Sequence, residues 1–113
     1  MDLTKQKCVP CEVGGLPLEG GELDMYMKDL PLWQLSADKK RISRDFSFKD
    51  FVQAISFVNK VAELAEKEGH HPDISVHYNK VTIDLWTHAV GGLSLNDPIV
   101  ASKVDKLNAP LSF

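Results

Sequence analysis

Two hairpin patterns that flank one long helical pattern limit the folds open to this chain. The segments in which apolar and polar residues alternate are 33–36 and 41–46, then 74–78 and 81–88. Polar turns at 37–40 and at Asn79-Lys80 join the members of each pair, which predicts antiparallel hairpins. Two hairpins separated by a helix do not readily form a parallel sheet. The sequence therefore predicts a single α+β domain with a four-stranded antiparallel sheet covered by helices, in the order β-β-α-β-β-α.

The pattern between the hairpins predicts a helix over 48–68. Ser47 and Asp50 have the spacing of a capping box before it, and Gly69 is a typical end of a helix. Apolar residues recur in steps of three and four, at Phe48, Phe51, Val52, Ile55, Val58, Val61, Ala62 and Ala65. Phe57 and Leu64 widen this stripe. Because a helix that is apolar on more than one side can cover its own sheet and a neighbouring subunit, the pattern predicts oligomerisation.

Shorter helices are predicted near both ends of the chain. Residues 1–21 are rich in Gly and Pro and predict an irregular arm, so the folded domain is expected over 22–113. A short helix beginning near Glu22 and ending before Pro31 is expected to add little to the core. Ser94-Leu95-Asn96-Asp97 is a second capping-box pattern and predicts a last helix that ends before Pro110.

Charge and hydropathy disfavour several classes of protein. The net charge is −3, and the one basic cluster, Lys39-Lys40-Arg41, lies in a predicted turn beside Asp38, so nucleic-acid binding is not expected. No run approaches the roughly 18 apolar residues of a membrane span, and the first residues do not resemble a secretory signal. We therefore expect a cytoplasmic protein. Cys8 and Cys11 form a lone C-x-x-C, for which reduced thiols are favoured over zinc or redox chemistry.

The histidines are the candidates for chemistry. His70 and His71 directly follow the long predicted helix, where unpaired carbonyl groups favour a protonated imidazole. Imidazole exchanges protons near neutral pH, which suits general acid–base catalysis. His88 ends the last predicted strand on the same face as Trp86, where the two rings could line a pocket or form an ordinary half-buried pair. His77 is expected to be a solvated strand residue.

Other kinds of site are disfavoured. Adjacent residues such as His70 and His71 rarely bind one ion, and no pair of ligands has the i, i+4 spacing on a helix, so no metal is expected. No serine lies in a G-x-S-x-G turn, and no glycine-rich loop joins a strand to a helix, so neither a serine nucleophile nor a nucleotide site is supported.

Several of these residues together resemble the signature of the pterin-4a-carbinolamine dehydratases. The resemblance covers about residues 22–108. It rests on Glu68-Gly69-His70-His71-Pro72 followed by Tyr78, His88 and Asp97, on Trp33, on Phe46-Ser47-Phe48-Lys49-Asp50-Phe51, on Tyr78-Asn79-Lys80-Val81 and on Gly92-Leu93-Ser94.

The resemblance implies a fold, an assembly and a reaction. The fold is again a four-stranded antiparallel sheet with helices packed on it, in homodimers or homotetramers that would use helix 48–68 and the sheet edges. The implied substrate is 4a-hydroxytetrahydrobiopterin, made when an aromatic amino-acid hydroxylase such as phenylalanine hydroxylase turns over. Loss of water gives the quinonoid dihydropterin, with no metal ion or organic cofactor.

By resemblance, three histidines carry this chemistry. His70 and His88 would be the general acid and base, since hydroxide leaves badly unless it is protonated and the proton on N5 needs an acceptor. His71 would hold and orient the pterin.

The family pattern also implies supporting residues. Trp33 would form part of the pocket wall, and Glu66 and Asp97 would orient the histidines through hydrogen bonds. This chain has Gly69 where some members of the family carry an aspartate, so tuning of His70 from that position is not expected.

Two other functions stay open. Animal members of the family also act as dimerisation cofactors of a homeodomain transcription factor, a binding role that would depend here on Phe51, Ile55 and Val58. A dehydratase acting on another pterin, such as a folate- or molybdopterin-related compound, is the second alternative.

Overall fold

The computed structural model describes residues 18–108, and its elements follow the predicted order. They are α1 (Gly20–Lys28), β1 (Gln34–Leu35), β2 (Ile42–Ser47), α2 (Phe51–Glu68), β3 (Asp73–His77), β4 (Lys80–Leu85), a 3-10 turn (His88–Val90) and α3 (Asn96–Asn108). Residues 1–17 of the predicted arm, with Cys8 and Cys11, lie outside the described residues, whereas Gly20 and Gly21 belong to α1 and not to an irregular arm. Within those residues, no helix is both long enough and apolar enough to cross a membrane.

The four strands form one antiparallel sheet, as predicted, and their order within it is β1-β2-β4-β3. Ile42 lies opposite Leu85, and Phe46 lies opposite Val81. Because side chains alternate along a strand, these residues and Ile83 share one face. All five are buried, so this face of the sheet forms one side of the core.

The helices cover that face of the sheet. The buried side chains that they and the segment after α1 contribute are Leu23, Tyr26, Leu30, Ala54, Phe57, Val61, Ala65, Ile99, Val100, Ala101 and Val104. The expectation that the first helix adds little is wrong, because Leu23 and Tyr26 are buried and α1 begins two residues before Glu22, at Gly20.

The start of α2 differs from the predicted capping box. Ser47 is the last residue of β2 and pairs with Lys80, which keeps it extended. Asp50 is the residue that caps the helix, and its side chain accepts a hydrogen bond from the backbone N–H of Gln53 (2.9 Å). The helix therefore begins at Phe51. Its predicted end is confirmed: Gly69 follows the last turn in the left-handed conformation (φ 69°).

The core-facing side of α2 also differs from the predicted stripe. The buried residues are Ala54, Phe57, Val61 and Ala65, in steps of three and four. Phe51 is 50% exposed and Val52 is 74% exposed. These two residues belong to the wide apolar surface of the helix but lie away from the sheet.

Candidate active site

A buried carboxylate joins three segments of the chain. Asp97, at the start of α3, has no exposed surface. Its Oδ1 lies 2.6 Å from Nε2 of His70. Its Oδ2 accepts hydrogen bonds from the hydroxyl of Thr87 (2.8 Å) and from the backbone N–H of Ser94 (2.9 Å). One side chain thus ties the end of α2, the loop after β4 and the start of α3 together.

The second predicted capping box explains how Asp97 is held. The Ser94 N–H donates to the Asp97 carboxylate, and the Ser94 Oγ accepts from the backbone N–H of Asn96 (3.2 Å). These bonds satisfy amide groups that the first turn of a helix leaves unpaired. The carboxylate keeps its second oxygen for His70, so a common helix-start motif also positions a histidine.

His70 is fixed by the end of α2. After Gly69 leaves the helical conformation, the His70 N–H donates to the Ala65 carbonyl (3.2 Å), and the imidazole turns toward Asp97. Its side chain is 11% exposed. A carboxylate accepts hydrogen bonds and does not donate them, so we assign the hydrogen to Nε2 of His70. In the neutral ring, Nδ1 is then the basic nitrogen.

His71 pairs with a different carboxylate from its neighbour. Its Nε2 lies 2.5 Å from Oε2 of Glu66, and the two side chains are 61% and 76% exposed. Solvent screens a pair this exposed, so its contribution to stability is at most about 1 kcal/mol. The contact orients the His71 ring at the surface beside the buried His70–Asp97 pair.

His88 does not lie on a strand, contrary to the prediction. β4 ends at Leu85, and Thr87 instead forms an isolated bridge with Gly92, with its N–H donating to the Gly92 carbonyl (2.7 Å). This closed loop directs His88 into a 3-10 turn. The predicted neighbour is present nonetheless, because the rings of Trp86 and His88 meet edge to face with centroids 5.5 Å apart.

Thr87 connects the two histidine regions. It donates to the carboxylate that binds His70, and it immediately precedes His88 in the chain. This threonine is not predicted by the sequence patterns. The available signal was a hydroxyl residue next to a candidate histidine, which is too common to identify a site. His77, at the end of β3, is exposed as expected.

Trp33 lies in the core. It is buried, its indole N–H donates to Oδ1 of Asp105 (2.8 Å), and its ring packs edge to face on Phe46. Arg44 binds the same carboxylate oxygen of Asp105. These contacts account for the burial of Trp33, and its role in a pocket wall stays a prediction.

Among residues 18–108, no group of three or more His, Cys, Asp and Glu side chains is arranged to hold a metal ion. The arrangement that is present consists of two imidazoles paired with carboxylates and a third beside an indole. Such groups can donate, accept and hold protons.

Comparison with known sequences finds one family. The model of the pterin 4 alpha carbinolamine dehydratase family matches residues 16–107. A relative from Chlorobaculum tepidum is 46% identical over 107 residues, which are 93% of this chain and 96% of that protein. A relative from Nitrosomonas europaea is 50% identical over 107 residues, 94% and 93% of the two chains. Both relatives carry provisional names as pterin-4-alpha-carbinolamine dehydratases.

Comparison with solved structures agrees on the fold. A Brucella melitensis protein described as a transcriptional coactivator/pterin dehydratase superposes with a TM-score of 0.76 at 34% identity, covering 80% of this chain and 97% of that one. A pterin dehydratase-like protein identified as a RuBisCO assembly factor in the alpha-carboxysome gives a TM-score of 0.59 at 24% identity, covering 68% and 89%. This second likeness concerns the fold alone.

Proposed function

Because the chain belongs to the pterin 4 alpha carbinolamine dehydratase family, we propose that it dehydrates 4a-hydroxytetrahydrobiopterin to the quinonoid dihydropterin. The observation that carries the proposal is the buried Asp97, which binds His70 directly and holds Thr87, the residue before His88. Through these contacts one carboxylate binds both the segment that carries His70 and the segment that carries His88, the two proposed proton-transfer groups.

The pairing supports a role for each ring. His70 accepts the proton from N5 of the pterin on Nδ1, since Asp97 stabilises the imidazolium that forms. His88 donates a proton to the hydroxyl on C4a, which leaves as water. The electrons of the N5–H bond form the C4a–N5 double bond, so the reaction balances without an oxidant or a cofactor.

Neighbouring residues hold the substrate in this proposal. His71, oriented by Glu66, contacts the pterin from the exposed side of the site. Trp33 contributes to the pocket wall from the core. In the cell the enzyme would act in the cytoplasm and restore the pterin used by an aromatic amino-acid hydroxylase such as phenylalanine hydroxylase.

The proposed enzyme is a homodimer or homotetramer. Phe51 and Val52 are exposed on α2 and, with Ile55, Ser56 and Asn59, line a shallow groove of about 350 Å³. Exposed apolar side chains grouped on one helix favour contact with a second copy. The open edges β1 and β3 offer backbone groups for further contacts.

The same groove supports a second candidate, a dimerisation or coactivator module without catalysis. The Brucella melitensis protein is described with both functions. Phe51 and Ile55 lie in the groove, whereas Val58 is partly buried against the core, so a partner would contact the first two. This function would survive His70→Ala. A third candidate function is dehydration of a different pterin. Comparing turnover on several carbinolamines would distinguish it from dehydration of the biopterin compound.

The deciding experiment generates the carbinolamine in situ and follows its dehydration by absorbance. Wild type should accelerate the reaction, and His70→Ala/His88→Ala should lose most of that acceleration, about 10²-fold or more. His77→Ala is the matched control and should keep wild-type turnover. A folded double variant with undiminished turnover would contradict the acid–base assignment, and a lack of acceleration by wild type would favour the binding module.

A further inference from the structure

A second cavity lies beside the candidate active site. Its volume is about 380 Å³, and its lining residues are Ser36, Asp38, Lys40, Arg41, Trp86 and Gly91. This volume falls within the roughly 300–1,000 Å³ range of small-molecule sites. The cavity lies where the pairing of β2 with β4 ends. Ile42 and Leu85 are the last paired residues at this end, so Arg41 and Trp86 lie just beyond the ladder, where the two strands separate.

Contacts within the turn between β1 and β2 hold the cavity wall in place. The Asp38 carboxylate accepts from the Ser36 hydroxyl (2.6 Å) and the Lys40 N–H (3.0 Å). These two bonds, with the nearby charges of Lys40 and Arg41, lower the pKa of Asp38 below its usual 3.8. The Lys40 side chain also packs against Gly92: a Cβ added to this glycine would lie 3.6 Å from Lys40 Cγ. The turn is thus docked on the loop that follows His88.

The wall has an excess of positive charge. Lys40 and Arg41 outnumber the single carboxylate of Asp38, although the whole chain has a net charge of −3. Across residues 18–108, the ion pairs involve Arg44, Lys103 and two histidines, and neither Lys40 nor Arg41 takes part. Within the described part of the chain, both cations are therefore available to an anionic ligand.

Trp86 connects this wall to the site. The Arg41 guanidinium lies over the indole, with Cζ 5.4 Å from the ring centroid. The same indole meets His88 edge to face at 5.5 Å, and its N–H points to Asp73 (3.4 Å). A ligand that reacts at His88 and extends past Trp86 would enter the cavity that Arg41 and Lys40 line.

We propose that this cavity binds an acidic group, a phosphate or a carboxylate, on the side chain of the pterin substrate. The inference rests on the dehydration proposed above and departs from it in the substrate: the preferred pterin carries an acidic side chain, and biopterin is the weaker ligand. A guanidinium binds either anion through two parallel hydrogen bonds, and a lysine adds a second charge. The neutral hydroxyl groups of a biopterin side chain gain much less from two cations, so the wall discriminates between pterins by charge.

Calorimetric titration of the full chain with stable dihydropterins tests the inference. The ligands are 7,8-dihydrobiopterin, which is neutral, 7,8-dihydroneopterin monophosphate and 7,8-dihydrofolate, which carries carboxylates. One exposed ion pair contributes at most about fivefold, and the wall offers two cations. We therefore expect an acidic ligand to bind at least about fivefold more tightly than the neutral one, and the difference to shrink with added salt. Preference for the phosphate or for the folate identifies which acid the cavity takes.

Charge-neutral variants show whether the cavity causes the preference. Lys40→Gln and Arg41→Gln should each reduce it by up to about fivefold. Lys39→Gln removes the same charge from the same turn at a residue outside the cavity lining, and it should keep the preference. Equal affinities for all three ligands, or an equal loss in Lys39→Gln, would overturn the inference.

The dehydration assay, combined with the binding data, distinguishes failure of the cavity assignment from failure of the proposed reaction. Turnover of the biopterin carbinolamine without any preference for acidic pterins contradicts the cavity assignment alone. Preferential binding of an acidic pterin without dehydration contradicts the proposed reaction alone. Absence of binding by every pterin overturns both.

Discussion

Replacement of Asp97 by asparagine tests the link between the buried carboxylate and His70. Asparagine has nearly the same shape, and its amide oxygen can keep the hydrogen bonds from Thr87 and Ser94. Its NH₂ group then faces Nε2 of His70, where the carboxylate oxygen lies at 2.6 Å. Because an amide NH₂ only donates, the neutral ring must carry its hydrogen on Nδ1, and the base that the substrate needs is lost.

Both stability and rate should fall, by amounts that follow from the weaker bond. A hydrogen bond to a charged group contributes about 1.5–3 kcal/mol and a neutral one about 0.5–1.5 kcal/mol, so we expect the free energy of unfolding to drop by about 1 kcal/mol. At roughly 4 °C per kcal/mol for a domain of this size, the melting temperature should fall by about 4 °C. Dehydration of the carbinolamine should slow by about 10²-fold, the lower end of what a positioned acid or base contributes.

Asp105→Asn is the matched control. Asp105 lies on the same helix and also binds two partners, Trp33 and Arg44, and none of its hydrogen bonds within residues 18–108 goes to a histidine. We expect a comparable loss of melting temperature, measured by circular dichroism, and little change in kcat. Because Asp105 binds Trp33 of the proposed pocket wall, any effect on turnover should lie in KM. The reasoning is refuted if folded Asp97→Asn keeps the wild-type kcat, or if both variants lose activity to the same degree.

Four further predictions follow from other contacts. Glu66→Gln should raise KM a few-fold in steady-state assays and leave the melting temperature within about 2 °C, because the pair with His71 is exposed; a large thermal shift would contradict this. Val52→Glu should shift the molecular mass from light scattering toward the monomer, and an unchanged mass would exclude that face as the contact. Phe57→Ala should cost about 3–5 kcal/mol in denaturant unfolding, and a cost below 1 kcal/mol would contradict its place in the core. The carboxyl of Asp38 should titrate below 3.8 by NMR, so its contribution to stability is present above the unfolded pKa and is lost as pH falls through the folded pKa; a midpoint above 3.8 would contradict its hydrogen bonds.

Patterns confined to neighbouring residues predicted most of the fold. Alternation of apolar and polar residues identified both hairpins, and Gly69 marked the end of α2. The first capping box was misplaced because Ser47 and Asp50 are both good caps, and only the pairing of Ser47 with Lys80 across the sheet excludes the former. His88 was assigned to a strand because alternation continues past Leu85, where the bridge between Thr87 and Gly92 interrupts it.

The sequence also left open which side of α2 faces the core. Phe51 and Val52 are as apolar as Phe57 and Val61, so the helical pattern alone allows either pair to face the sheet. The sheet has one apolar face of fixed shape, and packing density selects the side of the helix that fits it. The other side then remains exposed.

By itself the sequence determined the order of the elements, their types and the histidines worth testing, because capping, turns and periodicity depend on residues within a few positions of one another. The family resemblance pointed to Asp97 as a partner of the histidines, but only the tertiary structure decided that it binds His70, 27 positions away, and that Arg41 lies over Trp86. A hydrogen bond or a ring contact forms only between atoms a few ångströms apart, and that proximity arises when the sheet pairs and the helices pack on it.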